Sequence, residues 1–93
     1  MRITKQIEPI DTVYFLMMKY RRPSIPLSEV LPDHLPHLCI EVANKRAAKC
    51  DLPFPTFKPD GNKSPYYVYV IDIALWLDAM HQIANQDWKA MNT

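Results

Sequence analysis

The stretch Ile40–Phe57 reads IEVANKRAAKCDLPFPTF, and after a polar loop Tyr66–Ile71 reads YYVYVI. A short basic segment with helical spacing runs into an extended, proline-punctuated run, and an aromatic and β-branched strand returns from it. A positively charged helix followed by a β-hairpin is the layout of a winged helix. In such a domain one helix face enters the major groove of DNA and the hairpin tip lies along the phosphates.

Projected at about 100° per residue, a helix over Leu38–Lys49 puts Cys39, Val42, Ala43, Ala47 and Cys50 on one side. Glu41, Asn44, Lys45, Ala48 and Lys49 fall on the other, and Arg46 falls among the apolar positions. From there its guanidinium must snorkel outward or reach a phosphate from the helix edge. Pro53 and Pro55 force the following chain to be extended, at a sheet edge, with Phe54 and Phe57 as anchors. Pro59–Pro65 is a turn cluster holding the only glycine, Gly61. Tyr66–Ile71 is the expected returning strand, and Asp72 is placed to cap a last helix from Ile73 to about Ala84. Its apolar face is Ile73, Trp76, Leu77, Met80, Ile83 and Ala84. Leu75 and Asp78 project to the polar side, and the end of the chain around Trp88 is expected to dock loosely or fray.

Upstream, residues 1–10 read as a loose leader or an edge strand. Residues 11–93 then form one domain. Asp11 is the expected cap of a helix Thr12–Tyr20, whose inner face is Val13, Leu16, Met17 and Tyr20. Tyr14, Phe15 and Met18 occupy its other sides, and with Leu75 they are candidate self-association residues, since a helix apolar all round is usually covered twice. Arg21, Arg22 and Pro23 end this helix, and Ser24–Pro26 is an extended link. Ser28 is the expected cap of a second helix that Pro32 keeps short or kinked. Asp33–Pro36 is the turn into the basic helix.

Composition limits the rest. The chain has 93 residues, 48% hydrophobic and 23% charged, which suits one globular domain. The net charge is only +1, so any nucleic-acid signal lies in the distribution: Lys19, Arg21 and Arg22 cluster, as do Lys45, Arg46 and Lys49. No apolar run approaches the roughly 18 residues of a membrane span, and a cytoplasmic, nucleoid-associated location is expected. The two cysteines are too few for a disulfide framework and read as free thiols packed like small hydrophobes. His34, His37, Cys39 and Cys50 do not match zinc spacing, so no metal and no cofactor is expected. No Gly-rich phosphate loop and no activated nucleophile is present, so an enzyme is not expected.

TVYFLMMKY (Thr12–Tyr20), IPLSEV (Ile25–Val30), AAKCDLPFPTF (Ala47–Phe57) and VYVIDIALWLD (Val68–Asp78) together resemble the pyocin-activator protein family of bacteria and prophages. The resemblance implies a small DNA-binding transcription activator of phage-like genes. At fold level it implies an α+β winged helix-turn-helix akin to excisionases and MerR-type DNA-binding heads, with terminal helices on a two- to three-stranded sheet. Family members tend to carry a small residue, often Gly, where this chain has Cys50.

The candidate DNA contacts are Glu41, Asn44, Lys45, Arg46 and Lys49 on the basic helix, Lys58, Asn62 and Lys63 on the hairpin, and Arg21 and Arg22 at the flank. Asn44 suits an adenine edge, and the lysines suit phosphates or guanine. The plainer meaning is a solvated helix face with Glu41, Lys45 and Lys49 as i,i+4 pairs. The expected partner is double-stranded DNA, with the protein as a homo-oligomer on it and in contact with RNA polymerase or a recombinase. Two rivals remain at this level: an excisionase that bends attachment-site DNA, and a phage-encoded protein-interaction module working through Tyr14, Phe15 and Met18.

Overall fold

A computed structural model describes residues 9–92. Four helices and a two-stranded antiparallel sheet form a small α+β domain: α1 (Pro9–Tyr20), β1 (Ser24–Pro26), α2 (Leu27–His34), α3 (Ile40–Ala48), β2 (Tyr67–Tyr69) and α4 (Val70–Met91). Helix, turn, helix and wing follow in the order the sequence predicts, and the architecture is that of a small winged-helix-like domain.

The sheet is built differently from the expected hairpin. β2 pairs with β1, the link after α1, in the register Ser24–Tyr69, Ile25–Val68 and Pro26–Tyr67. The Pro53–Phe57 run contributes a single bridge, Phe57 to Tyr67, with N–H···O distances of 3.0 and 2.7 Å. Pro53 and Pro55 have no N–H to donate, so that run cannot sustain a ladder. Phe54 anchors it all the same, buried edge-on against Trp76 with ring centroids 5.4 Å apart.

Several boundaries move, each for a local reason. α1 starts at Pro9, so Asp11 lies inside the helix and is not its cap; proline is well suited to a first helical turn. The leader expected over residues 1–10 therefore gives up its last two residues, and the remainder lies outside the described residues. α2 begins at Leu27 with Pro26 as N-cap, which leaves Ser28 without a capping hydrogen bond. Pro32 sits inside this eight-residue helix, and Asp33 and His34, expected in the turn, are its last residues. α3 is shorter than Leu38–Lys49, with Cys39 as N-cap and Lys49 as C-cap. Val70 and Ile71, expected in the strand, open α4, so Asp72 stands in the first turn and Tyr69 is the N-cap. A carboxylate there still favours the positive end of the helix dipole.

α4 runs on to Met91 with no frayed end, which carries Trp88 in helical conformation. Ile25, Leu27, Val30, Val68, Val70 and Ile73 are the largest fully buried side chains. α1 packs along α4 over this core. Thr12 Oγ1 donates to Asp78 Oδ1 at 2.7 Å across that seam, which makes Asp78 a partly buried interhelical acceptor and not a polar-face residue. Tyr20 ties α1 to α2: its hydroxyl donates to Asp33 Oδ2 at 2.7 Å and lies 3.0 Å from His34 Nε2. The single phenol proton goes to Asp33, so His34 Nε2 carries the proton of the second bond.

Candidate nucleic-acid interface

α2 and α3 form the helix-turn-helix pair, joined by the turn at 35–39. α3 buries only Ala43 and Ala47. Two small residues let the helix sit close on the core while most of its surface faces solvent. Val42 and the two cysteines, expected on the packing side, are exposed. The helix lies shallow enough that alanine alone fills its contact, and positions flanking that contact point outward. Glu41, Asn44, Lys45 and Lys49 are all exposed, as the helical projection requires.

The end of α3 is closed by a left-handed residue. Cys50 has φ 54°. Its N–H donates to the Ala47 carbonyl at 3.0 Å and the Asp51 N–H donates to the Arg46 carbonyl at 2.8 Å. This is the Schellman pattern, in which glycine is the usual left-handed residue. Cys50 therefore holds a backbone conformation that glycine adopts without steric cost. Arg46 is drawn into the same closure. Its Nε donates to the Asp51 carbonyl at 3.0 Å and lies 3.6 Å from the Asp51 carboxylate. The guanidinium that sequence spacing left between packing and phosphate contact is thus engaged at the helix end.

The wing is the loop between Phe57 and Tyr67. Gly61, at φ 56°, opens a 3-10 turn over Gly61–Lys63, and Ser64 Oγ accepts from the Asp60 N–H at 3.1 Å. Asn62 and Lys63 are exposed at its tip. At its root the Phe57 and Tyr69 rings stack with centroids 4.9 Å apart and planes 20° from parallel. Lys58 Nζ lies 4.7 Å from the centre of the Tyr66 ring. Sequence spacing did not single out these two contacts. The signal present was strand alternation, which puts Tyr67 and Tyr69 on one face.

Helix and wing meet in a cleft of about 370 Å³ lined by Asn44, Lys45, Ala48, Lys58, Ser64, Pro65 and Tyr66. Lys45 and Lys58, thirteen positions apart in the chain, line the same depression. Among the described residues, no carboxylate lies within ion-pair distance of Lys45, Lys49, Lys58 or Lys63. The flank differs. Arg22 is gripped by both oxygens of Glu29, at 2.6 and 2.8 Å, and that hydrogen bonding raises its pKa further. Lys19 pairs with Asp33 at 3.6 Å. Arg21 is exposed and terminates α1 in the left-handed region, at φ 57°.

The candidate self-association residues Tyr14, Phe15, Met18 and Leu75 are 60%, 68%, 54% and 57% exposed. The first three share the outward face of α1, while Leu75 lies on the outward side of α4. Among the described residues, no cluster of three or more His, Cys, Asp or Glu side chains is placed to hold a metal ion. No described helix is long and apolar enough to cross a membrane.

Comparison with curated proteins and with solved structures gives no match. The sequence model of one family, described as pyocin activator protein PrtN, matches residues 12–84. That span runs from the first residue of the Thr12–Asp78 hydrogen bond through the helix-turn-helix, the wing and most of α4. The chain belongs to the pyocin activator protein family.

Proposed function

We propose that this protein binds double-stranded DNA in a sequence-dependent manner and activates transcription of prophage genes. The observation that carries the reading is the cleft in which Asn44 and Lys45 of α3 meet Lys58 of the wing. Membership in a family of transcription activators supports the same direction. α3 enters the major groove with Asn44 toward a base edge, since an amide side chain pairs bidentately with adenine. Glu41, one turn earlier on the same helix, suits a cytosine amino group. Lys45 and Lys49 lie toward the phosphates on either side, and Lys58, Asn62 and Lys63 follow the adjacent backbone. Arg46 and Arg22 are occupied by Asp51 and Glu29 and serve the fold. Arg21 remains a backbone contact at the flank.

The test is selection of bound sequences from a random duplex pool, followed by footprinting on the enriched sites. A convergent motif protected upstream of promoters supports the proposal. A pool that stays unenriched overturns it.

A further inference from the structure

α4 is longer than the domain it serves. Its 22 residues span about 33 Å. The first part is covered: Val70, Ile73 and Ala74 are buried and Trp76 and Leu77 pack against the core. From Ala79 to Met91 every residue is exposed. The apolar pattern nonetheless continues without a break. Ile73, Leu77, Met80, Ala84, Asp87 and Met91 follow one another at alternating steps of four and three, flanked by Trp76, Ile83 and Trp88. This is the spacing of a coiled-coil seam, with one polar position. The stripe that α4 buries in its own domain thus overruns that domain, leaving Met80, Ile83, Trp88 and Met91 at 44%, 52%, 63% and 83% exposure.

We propose that this overhang is the interface with a second copy of the chain, paired antiparallel through the Met80–Met91 segments. Three observations select a second copy. The segment contains neither Gly nor Pro and has two alanines, so it is written as a helix. A helical stretch of this length gains most of its stability from packing, which none of the described residues supplies here. Its Asp, Glu, Lys and Arg residues are Asp87 and Lys89 alone, one of each sign, so a second copy meets no net repulsion from them. The exposed apolar surface is on the order of 500 Å² per chain, at the small end of specific interfaces. That size predicts a concentration-dependent dimer. An antiparallel two-fold midway along the overhang sets Met80 of one copy level with Met91 of the other. The outward face of α1 is the competing surface, and it carries no such continuation of a packed seam. The inference does not depend on DNA binding and is read without DNA.

Sedimentation velocity over a concentration series tests it. The expected result is a shift to twice the chain mass, abolished by Trp88→Glu with Met91→Glu and retained in Phe15→Glu with Met18→Glu. Cooperative unfolding of the tail variant at an unchanged midpoint in dilute solution shows that its domain still folds. In a Cys39→Ser, Cys50→Ser background, Met80→Cys with Met91→Cys should oxidise to a covalent dimer. Within one helix these positions stand about 16 Å apart, too far for an internal disulfide. A monomer at every concentration overturns the proposal and leaves the stripe to residues 1–8 or to a different protein. A dimer lost only in the Phe15/Met18 variant moves the interface to α1 and equally overturns it. A dimer that yields no cross-link overturns the antiparallel arrangement.

Discussion

Thr12 and Asp78, 66 residues apart, share a 2.7 Å hydrogen bond that fastens α1 to α4. Among the described residues only one carboxylate oxygen finds a donor, and Asp78 Oδ2 is buried with no hydrogen-bond partner. Thr12→Val removes the remaining donor and leaves the carboxylate with none, which costs about 1–3 kcal/mol. Thr12→Ser should retain most of the stability. Adding Asp78→Leu to Thr12→Val should recover much of the loss, because replacing both partners by apolar groups is far cheaper than orphaning one. Urea unfolding of the four proteins checks this; equal losses for Thr12→Val and Thr12→Ser would show that the bond does not matter.

His34 makes stability depend on pH. Burial lowers its pKa below the ordinary 6.5, outweighing the raising effect of Asp33. As pH falls through 6.5, the unfolded chain takes up a proton that the folded imidazole resists. The unfolded state then binds more protons, so stability is full above about 6.5 and declines below it, down to the depressed folded value. His34→Gln should lose stability overall yet flatten this decline, as measured by urea midpoints between about pH 7.5 and pH 5.5. Asp33 adds a loss at lower pH. The Tyr20 hydrogen bond holds its carboxyl below the ordinary 3.8, so that contribution disappears as the carboxylate becomes protonated.

Cys50 offers a gain. A side chain at φ 54° is held in the left-handed region, which costs a non-glycine residue roughly 1–2 kcal/mol. Cys50 is exposed and its thiol is free, so little packing is lost with it. Cys50→Gly should stabilise the domain by about 1 kcal/mol. Cys50→Ala should leave stability close to the starting value, since alanine bears the same strain. Thermal unfolding under reducing conditions separates the two, and a destabilised glycine variant would contradict the strain argument.

These cases show which parts of the molecule its sequence discloses. Spacing discloses the inner faces of α1 and α4 only in part: Val13, Leu16, Tyr20, Ile73, Trp76 and Leu77 pack inward, whereas Met17, Met80, Ile83 and Ala84, expected with them, are exposed and Ala74 is buried. At Cys50 the sequence marks only a departure from the small residue expected there, and the structure adds that the position is left-handed. The partner of β2 was not legible. Ser24–Pro26 is three residues long with two that read as a linker, and only tertiary context makes it a strand. The fates of Arg46 and Arg22 were hidden for a related reason. Each is neutralised by an acid, Asp51 or Glu29, whose proximity depends on how one helix ends or how two elements cross. A run of basic residues in sequence therefore overstated the available positive charge, and the wing lysine Lys58 became a stronger candidate than either arginine.

That distinction yields the sharpest prediction about DNA. Each lysine that neutralises a phosphate contributes about 0.9 to the slope of log affinity against log salt. Lys45→Ala with Lys49→Ala should weaken binding to every duplex and flatten that slope by about 2. Lys58→Ala should flatten it by about 1. Arg22→Ala should leave the slope unchanged while lowering stability slightly, because its charge is already spent on Glu29. Asn44→Ala should behave differently again, keeping the salt slope and relaxing preference at one base pair by about 1–3 kcal/mol. Fluorescence anisotropy titrations of the selected site, repeated over a salt series, read all four. A salt slope untouched by the double lysine variant would remove α3 from the DNA interface.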